Sequence, residues 1–391
     1  MHPVICSIAR TPIGRFNGVF SPLTAMDLGG TAILGALGRT GLDPERVDEV
    51  QFGHVIQAGQ GQVPARQAAF KGGIPLTIPS TTINKACLSS MAAIAEAANH
   101  IKVRESSFVV AGGMESMTNA PYELPGARQG LRYGNVDLLD SLTHDGLFCA
   151  FDECLMGDST DRKNARLEIG RSEQDEWAAA SHERAQAATE SGAFADEIVP
   201  VVVPGRGGDI EIDTDEGIRP GTTIETLAQL RPAFGAEGTV TAGNASQISD
   251  GAAAVIVADR DAAHAAGLPI VAEILGYGQT AGPDATLHER PAEALRIALK
   301  RSGLDVTDLD LVEINEAFAA VSLWSTRMLD LDHAQVNING GAVALGHPLG
   351  ATGARIVVTL INALRQRGGG IGGAALCGGG GQGDALIVRV Y

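Results

Sequence analysis

Residues 36–43 read ALGRTGLD and residues 298–305 read ALKRSGLD, so one eight-residue pattern occurs twice in the chain. In both copies, small and apolar residues lead to a glycine, which commonly ends a helix in the left-handed conformation. The match continues at the same offset, because residues 47–50 (VDEV) resemble residues 309–312 (LDLV). Each copy is therefore predicted to fold as a helix, a turn and a strand.

The repeat extends through later segments. Ile94 and Ile356 keep the same offset inside helical patterns, and each pattern is followed by an apolar strand that runs into glycines, FVVAGG at 108–113 and AALCGG at 374–379. The matching order of helices and strands favours a duplication over a chance match. Helices that alternate with apolar strands indicate an α/β fold whose sheets are covered on both faces.

A different region separates the two halves. It is rich in proline, glycine and charge, and its one clear helix is predicted at residues 172–190, with Ser172 and Asp175 as a capping box. Residues 252–257 (AAAVIV) then supply a buried strand that completes the first half. We divide the chain into an N-terminal half of residues 1–118 plus 246–269, an inserted loop domain of residues 119–245, and a C-terminal half of residues 270–391.

Composition and charge narrow the classes of function. The 391 residues are 45% apolar and 19% charged, which is typical of a globular enzyme of more than one domain. The net charge of −17 opposes binding to nucleic acid and to anionic membranes, so we expect neither as a partner. An anionic substrate would need a local patch of positive charge.

The cysteines and the first residues indicate a cytoplasmic protein. There is no basic segment followed by a long apolar core at the start, and no apolar run is long enough to span a bilayer. The five cysteines are scattered and odd in number, which indicates reduced thiols. Cys149 and Cys154 have no second pair nearby, so no metal site is expected.

Cys87 is the candidate nucleophile. It lies in the segment 84–91 (NKACLSSM), after a β-like stretch and before apolar residues at helical spacing. A thiol at the start of a helix is stabilised as thiolate, so its pKa is predicted to fall from about 8.5 toward neutral. The alternative is a small buried apolar residue.

A histidine and a second cysteine lie in glycine-bearing segments. His347 is in the segment 339–350 (NGGAVALGHPLG), where it is either a general base or a solvated loop residue. Cys377 begins CGGGGQG at 377–383, where it is either an acid/base thiol beside backbone N–H groups or a buried strand end. Asn315, in the segment 313–318 (EINEAF), is either a helix cap or a donor to substrate.

Together these segments resemble the thiolase family. Further matching segments are RTPIG at 10–14, PARQA at 64–68, AGGMESM at 111–117, GTVTAGNAS at 238–246 and DGAA at 250–253. The resemblance implies two βαβαβαββ halves in a layered αβαβα arrangement with an inserted loop domain, assembled as a homodimer or homotetramer. It implies acyl-CoA esters and CoA as substrates, with no further cofactor.

The resemblance also implies roles for the site residues. Cys87 would carry the acyl group as a thioester, His347 would take its proton, and Cys377 would move the second proton. His347 and a water held by Asn315 would form one oxyanion hole, and the N–H groups of Cys87 and Gly379 the other. The implied contacts to CoA are Arg219, Ser246, Met156, Leu147, Phe234, Ala242 and Phe318.

Some positions depart from the family pattern. Residues 88–90 (LSS) differ from the usual small residue, Ser and Gly, and residues 158–164 differ from the usual Thr-Ala-Glu-Asn. Leu155 stands where short-chain synthetic members often have histidine. Leu155 is therefore expected either to make the acyl pocket more accepting of methylenes, together with Leu147, Phe148 and Phe318, or only to pack the loop domain.

The favoured function is an acetyl-CoA C-acetyltransferase, which joins two acetyl-CoA into acetoacetyl-CoA and CoA. One alternative is a degradative 3-ketoacyl-CoA thiolase of broader chain length. Another is a ketoacyl-ACP synthase, but the catalytic residues of those enzymes resemble a Cys-His-His set, whereas this chain offers a second cysteine. The alternative from another class is a non-catalytic acyl-CoA- or lipid-binding protein on the same fold. Binding alone needs no pair of reactive thiols, which argues against the last.

Overall fold

A computed structural model describes residues 2–205 and 207–391. The elements before the loop region are β1 (Pro3–Arg10), β2 (Gly14–Arg15), α1 (Ala25–Thr40), β3 (Glu49–Gly53), α2 (Pro64–Lys71), β4 (Ser80–Ile83), α3 (Ser89–Lys102) and β5 (Phe108–Ser116). The elements of the loop region are β6 (Tyr122–Glu123), β7 (Leu139–Asp140), β8 (Phe148–Cys149), β9 (Cys154–Leu155), α4 (Met156–Leu167), α5 (Arg171–Glu190), β10 (Val201–Val203), β11 (Ile210–Ile212) and α6 (Ile224–Ala228). The remaining elements are β12 (Ser249–Asp259), α7 (Arg260–Ala265), β13 (Ala272–Ala281), α8 (Arg290–Ser302), β14 (Leu311–Ile314), α9 (Ala319–Leu329), α10 (Ala342–Leu345), α11 (Thr352–Gln366), β15 (Gly370–Gly378) and β16 (Gln382–Val390).

The duplicated pattern has the predicted structure in both copies. Helices α1 and α8 end at glycines in the left-handed conformation, Gly41 with φ of 68° and Gly303 with φ of 69°. A short 3₁₀ turn follows each glycine and leads into β3 or β14. The prediction of a helix, a turn and a strand in each copy is confirmed.

The main strands form one ten-stranded sheet in the order β14-β15-β16-β13-β1-β12-β5-β3-β4, with β2 beside β12. The two halves meet where β1 pairs with β13. This antiparallel pairing covers only two residues of each strand, with Val4 opposite Glu273 and Ile5 opposite Ala272. Strands β3, β4 and β5 pair in parallel, as do β14 and β15, and the other main pairs are antiparallel. The short central pairing lets each half of the sheet face its own set of helices.

Helices form three layers around the two halves of the sheet. One apolar cluster packs α1 and α2 against the first half, and another packs α8 and α9 against the second. A third cluster, which includes Met91 and Ile94 of α3 and Ile356 and Leu360 of α11, lies between the halves. This is the expected αβαβα arrangement, and its buried central layer brings the N-terminal ends of α3 and α11 together.

The central helices approach closely because α11 carries Gly353. A Cβ at that position would lie 2.5 Å from the backbone nitrogen of Met91, a distance that real side chains do not adopt. Thus a larger residue at position 353 would push α11 away from α3. Since the two helix ends carry the candidate nucleophile and base, this glycine helps to set the separation of the reacting groups.

Three details differ from the sequence predictions. The third strand of the second half is reduced to a single bridge between Val312 and Val336. The loop region contains a second long helix, α4, which its polar sequence concealed because few apolar residues mark a buried face. The predicted capping box at Ser172 is wrong: α5 begins at Arg171, and Glu173 accepts a hydrogen bond of 2.7 Å from the backbone N–H of Gly170.

Candidate active site

The predicted catalytic residues meet at a small cavity. It lies where the start of α3, the segment before α11 and the end of β15 converge under the loop region, and its volume is about 50 Å³. Eight of the residues singled out from the sequence line it: Cys87, Leu147, Met156, Ser246, Phe318, His347, Cys377 and Gly379. Residues from both halves and from the loop region therefore form one site.

Cys87 is held by a tight turn before α3. Ala86 adopts a left-handed backbone with φ of 49°, and Ser89 Oγ donates a 2.6 Å hydrogen bond to the Ala86 carbonyl. The backbone N–H groups of Gly379 and Cys87 lie near the Cys87 sulfur, and both lower the pKa of its thiol. These two donors are the pair that the family resemblance assigns to an oxyanion hole.

The predicted low pKa of Cys87 is wrong. Burial, with the two N–H groups opposing it in part and the Glu115 carboxylate adding a smaller contribution, raises the pKa of Cys87 to about 11. Position at a helix start favours the thiolate, but the loss of water around a buried sulfur is the larger effect. In the free enzyme the Cys87 side chain is thus a neutral thiol.

This protonation state predicts a pH dependence for alkylation of Cys87. Below the pKa, the thiolate fraction rises tenfold per pH unit, so iodoacetamide should modify Cys87 about tenfold faster at pH 9 than at pH 8. Peptide mass spectrometry would follow the modification, with Cys87→Ser as the unreactive control. A rate that is constant above pH 7 would mean that a thiolate already exists in the resting enzyme.

His347 is a buried neutral imidazole with a defined tautomer. Thr352 Oγ1 donates to the Pro348 carbonyl at 2.8 Å, so it must accept the 2.7 Å hydrogen bond from His347 Nδ1. Nδ1 therefore carries the proton and Nε2 presents a lone pair. Burial, with a smaller contribution from the Arg355 guanidinium, lowers the pKa of His347 to about 3, which keeps the ring neutral and available as a base.

Asn315 lies directly behind His347. It follows β14, its backbone N–H donates to the Ala375 carbonyl at 3.0 Å, and its Nδ2 is 3.4 Å from His347 Nε2. The helix-cap alternative is wrong, because the next helix, α9, has Phe318 at its N-cap position. Asn315 Oδ1 is buried and accepts no hydrogen bond from the described residues, which leaves the amide one acceptor for another group.

Cys377 lies at the end of β15, on the second half of the sheet. It is buried, and both that burial and the neighbouring Cys87 raise its pKa well above the usual range of a thiol. The turn to β16 passes through Gly380 and Gly381 with positive φ of 78° and 70°. This turn places Gly379 beside Cys87, so that one glycine segment supplies both a thiol and a backbone donor.

Glu115 was not identified from the sequence. This fully buried carboxylate accepts hydrogen bonds from the backbone N–H groups of Val55 at 3.0 Å, Ile56 at 3.2 Å and Gly350 at 2.9 Å. It also contacts His54 Nε2 at 3.2 Å. Glu115 thereby ties the segment after His347 to the first half. Glu115 could have been recognised from the sequence, because an acidic residue near the end of an otherwise apolar strand is unusual and indicates a buried, paired carboxylate.

Glu316, next to Asn315, was also missed. It is buried and accepts from Trp177 Nε1 at 2.9 Å and Ser181 Oγ at 2.7 Å, both on α5 of the loop region. It further accepts from Asn337 Nδ2 at 2.9 Å and from the Val343 N–H at 3.0 Å. Four hydrogen bonds to a buried carboxylate restrict the position of the residue that carries it. Glu316 therefore holds the adjacent Asn315 in place.

Several predicted contacts to CoA lie outside the cavity wall. Arg219 is exposed, and its guanidinium reaches Gln247 Oε1 at 3.5 Å. Phe234 packs its ring over Gly157 at the start of α4, and Ala242 is exposed. None of these three positions lines the cavity that holds Cys87, His347 and Cys377.

The residue at position 155 does not widen the cavity. Leu155 pairs with Phe148 across β8 and β9, and neither side chain lines the wall. Their neighbours Leu147 and Met156 do line it. The alternative in which Leu155 packs the loop domain agrees with this placement, and the inclusion of Phe148 in the pocket wall was wrong.

The described ranges 2–205 and 207–391 lack two further features. They contain no group of three or more His, Cys, Asp and Glu side chains arranged to hold a metal ion. No helix in those ranges combines the length and apolar character needed to cross a membrane.

Two protein-family models match the chain along nearly its whole length. The model described as the thiolase N-terminal domain matches residues 3–261, and the model described as the thiolase C-terminal domain matches residues 268–390. The first match ends within α7, and the second begins between α7 and β13, shortly before the first strand of the second half.

Full-length relatives agree with these matches. The chain is 52% identical to the probable acetyl-CoA acetyltransferase of Mycobacterium tuberculosis over 99% of this chain and 98% of the relative. It is 48% identical to the acetyl-CoA acetyltransferase of Pseudomonas aeruginosa over 98% of each chain. The crystal structure of the Bacillus anthracis acetyl-CoA acetyltransferase superposes with a TM-score of 0.97 at 41% identity, covering 100% of this chain and 99% of that one.

Proposed function

The chain belongs to the thiolase family and is an acyltransferase, and from this premise we propose that it joins two molecules of acetyl-CoA into acetoacetyl-CoA and CoA. The observation that carries the proposal is the cavity in which Cys87, His347 and Cys377 face one another. The same groups serve the reverse reaction, the cleavage of a 3-ketoacyl-CoA by CoA.

In the first half-reaction, His347 Nε2 takes the proton of the Cys87 thiol as the sulfur attacks the thioester carbonyl. The carbonyl oxygen gains negative charge and is stabilised by the N–H groups of Cys87 and Gly379. The C–S bond to CoA breaks, and His347 returns the proton to the departing thiolate. Because thiol and imidazole are both neutral before substrate binds, proton transfer accompanies attack rather than preceding it.

In the second half-reaction, Cys377 acts as the base. His347 Nε2, neutral again after the first half-reaction, takes the proton of the Cys377 thiol, and the resulting thiolate removes a proton from the methyl group of a second acetyl-CoA. The carbanion attacks the acetyl carbon on Cys87, and the thioester oxygen of the second acetyl-CoA would be stabilised by the Nε2–H of the protonated His347 and a water held by Asn315. The bond between the Cys87 sulfur and the acetyl carbon then breaks, and His347 returns its proton to that sulfur, which restores the neutral thiol and imidazole.

The small size of the cavity supports a short acyl group. Apolar side chains, including Leu147, Met156 and Leu349, form its walls, so each additional methylene would require them to move. Acetyl transfer is therefore favoured over the transfer of long acyl chains.

Recognition of CoA is proposed to involve Arg219. Two acidic residues are close to Arg219 in sequence, but both form ion pairs with other arginines. Asp215 pairs with the buried Arg10, and Glu216 pairs with Arg15. Among the described residues, no carboxylate lies within 4.0 Å of Arg219. Arg219 is exposed and lies beside Gln247, whose backbone carbonyl accepts a hydrogen bond from the His347 N–H at 3.1 Å, so it suits the phosphates of a CoA that reaches the cavity, despite the net charge of −17.

We also propose a cytoplasmic homodimer or homotetramer that needs no cofactor beyond its CoA substrates and that acts in lipid metabolism, including fatty-acid β-oxidation when run toward cleavage. Strand β4 lies at one end of the sheet, where an edge can pair with another copy. The loop region also exposes apolar side chains, Leu131, Tyr133, Val136 and Leu138. Both features support assembly.

The proposal is tested by mixing the enzyme with acetyl-CoA and measuring the intact mass and the peptide mass. One acetyl group should appear on Cys87 and should be lost when CoA is added. In steady-state thiolysis, acetoacetyl-CoA should give a kcat/KM about tenfold or more above that of a six-carbon 3-ketoacyl-CoA, because forcing extra methylenes against a close-packed wall typically costs about 1–3 kcal/mol. If no acetyl-enzyme forms, the result would support a non-catalytic binding protein. If longer 3-ketoacyl-CoA esters are cleaved as fast as acetoacetyl-CoA, the result would support a thiolase of broader chain length.

A further inference from the structure

Two cysteines that the reaction does not use face each other in the loop region. Strands β8 and β9 form an antiparallel hairpin in which Cys149 is paired directly with Cys154. Directly opposed residues of such a ladder point to the same side and have Cα atoms about 4.5–5.5 Å apart, within the roughly 4.4–6.8 Å that disulfides span. Both thiols are free in this structure.

The hairpin is built so that the two sulfurs can meet. Each strand is two residues long, and so short a ladder yields easily. The connecting residues 150–153 are mostly exposed, and Glu153 has a left-handed backbone with φ of 50°. Cys154 is partly exposed and Cys149 is buried, so a reagent in solution reaches Cys154 first.

We propose that Cys149 and Cys154 are a modification site, a dithiol that is closed to a disulfide by a low-molecular-weight disulfide. The Cys154 thiolate attacks the small disulfide, forms a mixed disulfide and releases one small thiol, which takes up the proton. The Cys149 thiolate then attacks the Cys154 sulfur and releases the second small thiol. Two protein thiols are oxidised by two electrons, and one small disulfide is reduced to two thiols.

The position of the pair connects it to substrate binding. Leu147 immediately precedes β8 and Met156 immediately follows β9, and both line the cavity with Cys87. A bond between Cys149 and Cys154 fixes the spacing of the two strands and thus the separation of these two wall residues. We expect a change in KM for acyl-CoA, and this kinetic part rests on the proposed function, whereas disulfide formation does not.

The charges around Cys154 agree with a stable disulfide. Desolvation raises the pKa of Cys154, Asp152 and Asp158 add to the increase, and Arg162 opposes it. A thiol whose ionised form is not stabilised gives a disulfide that is less readily reduced than one formed by acidic thiols. Zinc would need further ligands, and the part of the chain that the structure describes offers no group of three.

The experiment uses the full-length enzyme, reduced, desalted and exposed to increasing concentrations of oxidised glutathione. Free thiols are then alkylated, and the protein is digested with trypsin without reduction. Residues 133–162 contain Cys149 and Cys154, no other cysteine and no internal Lys or Arg, so one peptide reports on the pair. We expect this peptide to be two hydrogen masses lighter and unalkylated while the Cys87 peptide is still alkylated. The KM for acetoacetyl-CoA should rise at least about threefold at little change in kcat, and a reductant should reverse both effects.

Three variants make the outcome decisive. Cys149→Ser and Cys154→Ser should retain the activity of the reduced enzyme and lose the response of KM to glutathione. Cys6→Ala, which removes a buried thiol of β1, should respond as the unchanged protein does. Double alkylation of the 133–162 peptide after oxidation, or glutathione retained on both cysteines, would overturn the proposed site. A disulfide without a change in KM would overturn only its link to substrate binding.

Discussion

Replacing Cys87 with serine is expected to lower kcat by about 10⁴-fold or more and to abolish the acetyl-enzyme. Serine keeps the shape of the side chain but ionises far less readily than a thiol, and loss of the nucleophile in comparable assemblies costs roughly 10⁴–10⁶-fold. The pKa of Cys87 is already about 11, so proton transfer from this thiol to His347 is unfavourable. Proton transfer from a serine hydroxyl, which is a weaker acid, would be still less favourable. Mass spectrometry of the acetyl group and steady-state kinetics would measure both effects.

The control for this substitution is Cys6→Ala, which removes a buried thiol distant from the cavity and should leave acetylation intact. Circular dichroism and thermal unfolding should show that Cys87→Ser is folded, because the hydrogen bond between Ser89 and Ala86 that shapes the turn does not involve the thiol. A folded variant that is acetylated at the normal rate would place the nucleophile at another residue.

Cys377→Ala should separate the two half-reactions. The variant retains Cys87, His347 and the Gly379 N–H, so it should still be acetylated by acetyl-CoA. It should form acetoacetyl-CoA about 10²–10⁴-fold more slowly, because the base that removes the methyl proton is missing. Rapid mixing followed by mass measurement should show acetyl-enzyme that accumulates and does not turn over.

The comparison variant is His347→Ala, which should slow acetylation as well as condensation, since His347 serves the nucleophile in one step and the oxyanion in the other. If Cys377→Ala turned over normally, a different group would have to be the base. If it failed to be acetylated, Cys377 would act in the first step and the proposed order of proton transfers would need revision.

The sequence was sufficient for the fold and for the main groups of the site because both depend on local patterns. A helix that ends in glycine and leads to a strand is visible twice, and it has the expected structure at Gly41 and Gly303. Cys87, His347 and Cys377 were found because each lies beside small residues in a segment matching the family. Their roles in catalysis remain predictions that the variants above would test.

The sequence was not sufficient for properties that depend on distant segments. The pKa of Cys87 was mispredicted because the helix start is local, whereas its burial comes from β15, the segment before α11 and the loop region. The partner of His347 Nδ1 was missed because Thr352 becomes its neighbour only when α11 forms. Helix α4 was not predicted because its sequence is polar, and no local pattern indicated that Leu155 would lie outside the cavity wall.

The pairing of α3 with α11 divides the chemistry between the two halves. The two helices occupy equivalent places in the duplicated halves, yet Cys87 precedes one and His347 precedes the other. The architecture is symmetric and its chemistry is not: one half carries the nucleophile, and the other carries the imidazole, the amide and the second thiol. Neither half therefore holds a complete set of reacting groups, and the site exists only while the two central helices stay packed together.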